Sequence, residues 1–473
     1  MVIVFFARLA QFIIMAAGVK VMTTLLAPTE LGKVAVIMAT TGLLALMLVN
    51  PVGMYINRNL HLWVESGAFK ITFIWMVKYL LFAAFVCLPL LLIIRIEVHA
   101  LHMIPLFLTI ILICGSILFN SIVQTLVPAL NMLDERVAWA LLTIGWITTG
   151  LLFSAGSVML FGNVATIWLA GALGSHILFS MIAYRYFFHI FPGNPRYMVR
   201  PFGYRELSRF ALPVAIGVVS NWVQFQGYRL YLADQIGLAD LGFFFAGYSL
   251  AAWIMGAVEM TVSTVYQPNL YRDSHSKDVA YARLAWQRYS NRSIPYYLVS
   301  CIGIVVLTDE LVTVLLAPEY KSVSSYVMVG AFAELGRIWL GQLSLLFQIE
   351  KNTTQMVYPF TVGSILAVVA TLFLVPQFGI IAAPIVATAS VIVTNLYVNS
   401  MVAFETQRSS FALPEVIGIS ALCAITGCAG IFIVNALGAG DGLFGSIVRL
   451  FAFAAPTGGV FVALTSRWRY RPL

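Results

Sequence analysis

The sequence predicts an all-α polytopic membrane protein of about 14 transmembrane helices, arranged as two pseudo-symmetric six-helix lobes plus two C-terminal helices. Three observations predict it. First, 61% of the 473 residues are hydrophobic and only 10% are charged, against roughly 25% charged residues in a soluble chain. So few charges cannot coat a globule in water. Second, the apolar residues fall into runs of about 20, the length a helix needs to cross the hydrocarbon core. Third, short sequences recur at a nearly fixed offset between the two halves of the chain.

The first run, 2–26, contains Arg8, Gln11 and Lys20, and is too long and too charged for a cleavable signal segment. It reads as span one. Spans two to six follow at 33–55, 71–94, 102–129, 137–161 and 164–190, the last two divided only by Phe161-Gly162-Asn163. Spans seven to twelve are 209–232, 240–266, 293–316, 325–349, 355–376 and 379–404, with Gln377-Phe378-Gly379 between the last pair. Spans 13 and 14 are 413–437 and 442–466. Glycine at both narrow divisions supplies a turn. The polar stretch 191–208, with Pro192, Pro195 and Pro201, contains a linker. The organisation expected is therefore an N-terminal lobe (1–192), a cytoplasmic linker (193–208), a C-terminal lobe (209–406), and two extra helices with a basic tail (407–473). The other long polar stretch, 267–292, reads either as an amphipathic helix lying on anionic headgroups or as a solvated loop.

The repeat rests on three matches. Glu30-Leu31-Gly32 at the mouth of span two returns as Asp240-Leu241-Gly242 at the mouth of span eight, 210 residues later. Gln11 and Asn221 share that offset, and Phe161-Gly162 corresponds to Phe378-Gly379 at an offset of 217. A repeat of six spans keeps the same orientation in both copies, the parallel arrangement known for some transporters.

Orientation follows from Lys and Arg in the connections. With the N-terminus cytoplasmic, 18 of the 27 Lys and Arg lie on the inner side and three (Lys33, Arg95, Lys321) on the outer side. The outer connections are acidic instead, with Glu30, Asp234, Asp240, Asp309 and Glu310 among them. Both termini are thus expected in the cytoplasm, and most of the net charge of +8 is a topology signal. The basic residues are scattered, so no nucleic-acid partner is expected.

Six cations remain inside spans: Arg8, Lys20, Lys78, Arg229, Arg337 and Arg449, together with the acids Glu259 and Glu334. Exposed to lipid at mid-bilayer, six cations would cost roughly 15–20 kcal/mol on insertion scales. Two readings stand. In the first they are neutralised structurally: Arg8, Lys78 and Arg449 snorkel to headgroups, and Glu334 and Arg337, spaced i,i+3, pair on one helix face. In the second, part of the set lines a hydrated cleft. Span one carries Arg8 and Gln11 on one face; span seven carries Asn221, Gln224 and Tyr228 with Arg229 beside them. An excess of cations over acids there suits a phosphate or pyrophosphate, with Arg58 receiving it at the cytoplasmic mouth. Polar stripes that merely join helices are the alternative.

Enzymatic and metal chemistry finds no support. There is no G-x-x-x-x-G-K-[ST], H-E-x-x-H or G-x-S-x-G. His99 and His102 lack further ligands nearby, His176 stands alone in span six, and all five cysteines lie in apolar runs. No cofactor, metal or catalytic residue is expected.

Several passages resemble the polysaccharide (O-antigen/Wzx-type) flippases of the multidrug/oligosaccharidyl-lipid/polysaccharide exporter superfamily. These are LLAPTELGKVAVI (25–37), DLGFFFAGYSLA (240–251), LLAPEY (315–320) and LVPQFGIIAAPIVATA (374–389), with Ala382 where the family usually has glycine. GYRLYL (227–232) is similar to the family's Asp-Arg near the end of span seven, with Tyr228 in place of the acid. INRNLHLWVESGAF (56–69) also resembles the end of span two in lipid II flippases. The resemblance implies a protein of the bacterial inner membrane, with two lobes around a cleft. It would translocate an undecaprenyl-pyrophosphate-linked oligosaccharide from inner to outer leaflet by alternating access, working among membrane lipids and beside a polysaccharide polymerase. Arg8, Arg58, Lys78 and Arg229 would then bind phosphate, with Gln11, Asn221 and Gln224 lining the path and Trp222 and Trp339 stacking sugars. Glu259 or Glu334 would carry a coupling proton or sodium ion. The alternatives are a lipid II flippase of peptidoglycan synthesis and a membrane polymerase or ligase; the short outer connections speak against the enzyme.

Overall fold

A computed structural model of the chain describes residues 2–192, 204–273, 279–349, 354–406, 413–438, 440 and 442–468. Their regular secondary structure is helical throughout. That follows from the composition: in lipid every backbone N–H and C=O needs an internal partner, and a helix supplies it within one segment.

The chain divides into two compact units, Met1–Gly242 and Phe243–Leu473. The first contains α1 (Val2–Leu25), α2 (Pro28–Leu48), α3 (Asn50–Glu65), α4 (Phe69–Glu97), α5 (Leu106–Gly115), α6 (Ser121–Met132), α7 (Arg136–Phe161), α8 (Ala165–Ile190), α9 (Tyr204–Trp222) and α10 (Tyr228–Gln235). It ends within the first turns of α11 (Leu238–Asp273). The second holds the rest of α11, then α12 (Val279–Val306), α13 (Thr308–Leu315), α14 (Ser324–Ile349), α15 (Thr354–Phe378), α16 (Ala382–Thr406), α17 (Leu413–Ala436) and α18 (Leu443–Trp468). Single π-helical turns, Ser116–Asn120 and Val223–Gly227, join α5 to α6 and α9 to α10. The expected linker falls largely on 193–203, outside the described residues, and α9 and α10 pack in the first unit against α2.

Each apolar run coincides with helix, but the expected count of 14 is not reached by length and apolarity. Eleven helices among the described residues meet that measure, or 12 when α12 and α13, bent by 77° at their junction, count as one span. The two rods that fall short are α9–α10 and α14, which carry the interrupting polar residues Asn221, Gln224, Arg229, Glu334 and Arg337. Span two also needs correction. Its helix stops at Leu48 and a separate one starts at Asn50-Pro51, since proline removes a backbone donor and suits a first helical turn. The stretch 267–292 is neither a separate surface helix nor a plain loop: α11 runs on to Asp273 and α12 starts at Val279, with 274–278 outside the described residues.

Two glycine turns confirm the narrow divisions. Gly162, between α7 and α8, has φ of +114°, and Gly379, between α15 and α16, has φ of +73°. Side chains rarely adopt that backbone. A second pair of glycines lets helices touch. A Cβ on Gly32 would lie 1.9 Å from the Leu238 carbonyl oxygen, and one on Gly242 would lie 1.9 Å from that of Pro28. The entries of α2 and α11 therefore cross backbone to backbone. Because 28 and 238, like 32 and 242, are 210 apart, the crossing obeys the repeat.

Candidate functional site

The charges inside the spans fall into three environments. The first is an ion network in the second unit. Arg337 on α14 donates from Nε to Glu334 Oε2 and from Nη2 to Glu259 Oε2 on α11, each at 2.7 Å. The two bonds fork the planar guanidinium between carboxylates from different helices, geometry that Lys cannot reproduce. Tyr248, also on α11, donates to Glu334 Oε1 at 3.2 Å. Both Glu334 oxygens are thus occupied, whereas Glu259 Oε1 has no partner among the described residues. Glu334 is 8% exposed, Glu259 31% and Arg337 30%. The expected Glu334–Arg337 pair is real, but it has a third, acidic member.

Beside it lies a buried polar cluster between α12 and α14. Gln342, two turns beyond Glu334, takes a bond at 2.7 Å from Trp286 Nε1 on its main-chain carbonyl and one at 3.3 Å from Ser293 on Oε1. Its Nε2 donates to Tyr289 and Tyr297, each at 3.4 Å. Trp286, Tyr289, Ser293 and Tyr297 recur every three or four residues, so one face of α12 presents all four. That spacing is a polar stripe absent from the candidates named above, and it was there to be found in the sequence.

The second environment is Arg8 in the first unit. Its guanidinium stands 4.8 Å from the ring centroid of Trp139 on α7, and Nη1 donates to Gln11 Oε1 at 2.9 Å. Its Nε is buried with no hydrogen-bond partner. Both contacts are neutral, so Arg8 is a half-buried cation held in place without a counter-charge among the described residues.

The third environment is the α9–α10 rod. Asn221 is half-buried, while Trp222, Gln224, Tyr228 and Arg229 are buried within the first unit. Trp222 packs against α2, where a Cβ on Gly42 would be 3.4 Å from its Nε1. The π-helical turn Val223–Gly227 inserts one residue into the helix and re-aims the side chains of α10. Nothing in the sequence signals that turn.

The remaining candidates stand apart. Lys78 is exposed on α4. Arg449 is neutralised, bonding Asn435 at 2.8 Å and lying 3.8 Å from Glu310. Trp339 is half-buried on α14. Arg58 lies in α3, beyond the break after Leu48, and its side chain is outside the described residues. His99 and His102 sit with ring centroids 5.8 Å apart, and Asp234 accepts from the His99 and Ala100 backbone N–H groups. No group of three or more His, Cys, Asp or Glu among the described residues is placed to hold a metal.

Comparison with solved structures identifies the fold. The lipid II flippase MurJ, in an inward closed conformation, matches with a TM-score of 0.67 at 13% identity over 99% of both chains. An inward-facing multidrug resistance MATE family transporter of the MOP superfamily matches at 0.56 with 14% identity, over 85% of this chain and 99% of that one. The eukaryotic MATE transporter AtDTX14 matches at 0.53 with 15% identity, over 84% and 91%. No protein-family model matches the chain, and no curated protein sequence does. At these identities the likeness is one of fold.

Proposed function

We propose that this protein is a flippase that carries an undecaprenyl-pyrophosphate-linked oligosaccharide, a polysaccharide repeat unit, from the inner to the outer leaflet by alternating access. The observation that carries the proposal is Arg8. A guanidinium inside a span is costly unless paired, and Arg337 and Arg449 both have acidic partners. Among the described residues Arg8 has only an amide oxygen and a ring, with Nε unfilled. Phosphate oxygens are the natural complement of a fork so placed. Gln11 orients it, Trp139 backs it, and Asn221 belongs to the same path. Arg58, Lys78 and Arg229 serve as further phosphate contacts along the route, and Trp339 offers a ring to a sugar. Transport of this kind needs no catalytic residue.

A lipid II flippase is the second reading, favoured by one observation. The fold matches that of the lipid II flippase MurJ along 99% of this chain, where the MATE transporters cover 84–85%. One experiment separates the two. In a strain lacking the protein, polysaccharide repeat units accumulate on the inner leaflet under the first reading and lipid II under the second. Complementation with Arg8→Leu, at wild-type membrane levels, should lower export at least tenfold, with Arg8→Lys retaining part. Full export by Arg8→Leu would sink the binding role.

A further inference from the structure

We infer that the groove between α4 and α8 binds an anionic glycerophospholipid of the phosphatidylglycerol kind, its phosphate held between Lys70 and Arg185. The inference goes beyond the proposed transport and does not depend on what the protein carries.

The groove is built from rings. Phe69 of α4 meets Phe187 of α8 at 5.0 Å between centroids and Phe188 at 6.1 Å. Phe73 meets Tyr184 at 5.7 Å and Phe188 at 5.3 Å. These contacts fix the antiparallel register of the two helix ends. Lys70 comes one residue after Phe69 and three before Phe73; Arg185 comes one after Tyr184 and three before Phe188. Each cation therefore stands on a flank of its helix's ring face. The opposite flanks, Thr72 and Ala183, are fully buried, whereas Lys70 and Arg185 are exposed. Both cations thus border the groove on its open side. At the helical rise per residue, the ring register puts their Cα atoms within about 2 Å of the same depth.

Neither cation has an acidic partner among the described residues. Glu65, at the end of α3, is the acid nearest to Lys70 along the chain; it is exposed and pairs with neither. His189, one turn beyond Arg185, is exposed as well. Two like charges at one depth repel each other unless an anion is shared between them, and phosphate oxygens accept from both Lys and the Arg fork. Tyr184 and Tyr186 are exposed beside them, and tyrosine rings sit at headgroup level. Further along the groove, exposed Ile74, Leu178 and Met181 offer apolar surface to acyl chains. These helix ends are the ones that the Lys and Arg distribution assigns to the cytoplasm, so the lipid belongs to the inner leaflet. The cations also select the headgroup. Phosphatidylethanolamine brings its own ammonium against them, whereas phosphatidylglycerol brings only the phosphate charge.

The test is photo-crosslinking of the full-length protein in phosphatidylethanolamine nanodiscs. These are doped with photoactivatable phosphatidylglycerol or, in parallel, photoactivatable phosphatidylethanolamine, and the labelled peptides are mapped by mass spectrometry. Phosphatidylglycerol should label the facing ends of α4 and α8 roughly tenfold more than phosphatidylethanolamine, in line with two cations near a surface. Lys70→Gln combined with Arg185→Gln should abolish that preference, and Lys70→Arg should keep it. Lys78→Gln, on the face of α4 turned away from the rings, should leave it unchanged. Equal labelling by the two lipids in the wild type overturns the inference. So does a preference that survives the double variant, or one lost equally in Lys78→Gln. No polyprenyl lipid is present, so the result stands whether or not the protein exports a glycan.

Discussion

Arg337 shows at the scale of one residue why the in-span charges are not interchangeable. Its fork holds Glu334, which is nearly enclosed, and Glu259, which is not. Removing the cation strands two carboxylates, and breaking a buried pair from one side costs on the order of 3 kcal/mol. Arg337→Leu should therefore lower the melting temperature of the detergent-solubilised protein by several degrees. Arg337→Lys should recover part of that loss, because the charge returns without the fork. Adding Glu334→Gln to Arg337→Leu should restore stability instead of destabilising further. An additive loss in the double variant would show that the two residues do not act together. The i,i+3 spacing of Glu334 and Arg337 made their pairing legible in the sequence. Glu259 was not legible as their partner, because it lies 78 residues from Arg337 and meets it only through tertiary packing. Arg8 was legible as a cation in a polar stripe, but the neutrality of its surroundings depends on Trp139, which comes from another helix.

At the scale of elements, the crossing of α2 and α11 is set by two glycines with no space for a side chain. The obstacle to a Cβ at Gly32 or Gly242 is a carbonyl oxygen 1.9 Å away. Backbone cannot rotate aside as a side chain can, so the helix entries must separate. Overpacking of this kind costs typically 1–3 kcal/mol. Gly32→Ala and Gly242→Ala should each destabilise by about that amount, read as a shift in thermal unfolding. Because both act on one crossing, the double variant should cost less than the sum. Gly256, on the same α11, is the control. A Cβ there meets nothing within 4 Å, and Gly256→Ala in a helix interior should be neutral or stabilise by up to about 1 kcal/mol. Equal losses at Gly256 and Gly242 would mean that close packing is not what Gly242 provides. The repeat of Glu30-Leu31-Gly32 and Asp240-Leu241-Gly242 was visible in the sequence, as were the turns at Gly162 and Gly379, because glycine at such places answers a local backbone demand. The break after Leu48 and the π-helical turn at Val223–Gly227 were not visible, since apolar composition runs through both. The burial of Trp222 and Gln224 was hidden for a related reason: a polar stripe does not reveal whether a neighbouring helix covers it.

At the scale of the whole molecule, the number of crossings turns on two rods. Composition shows a polytopic membrane protein, and among the described residues 11 or 12 helices are apolar and long enough to span. The α9–α10 rod and α14 are the remainder of the 14 expected spans. On insertion scales Glu334 and Arg337 together would cost α14 about 5–7 kcal/mol at mid-bilayer, less whatever their pairing returns. Their partner Glu259 and the hydroxyls on α12 become available only once the neighbouring helices are in place. Both rods should therefore insert poorly alone and span in the full chain. The chain ends cannot reveal this. If both rods span, the termini lie on the same side; if neither does, two crossings are lost and the termini still lie on the same side. The segment between them is diagnostic. With 14 spans and the cytoplasmic N-terminus expected from the Lys and Arg distribution, Gly237 (after α10) and Lys321 (before α14) face outward, in keeping with acidic Asp234, Asp240, Asp309 and Glu310 around them. Without the two rods both positions face the cytoplasm, and Arg283, Arg288 and Arg292 turn outward against the positive-inside rule. Single-cysteine labelling at Gly237 and Lys321 with a membrane-impermeant thiol reagent, in a background lacking the native cysteines, should therefore mark both positions from outside intact cells. Labelling only after permeabilisation would remove both rods from the membrane.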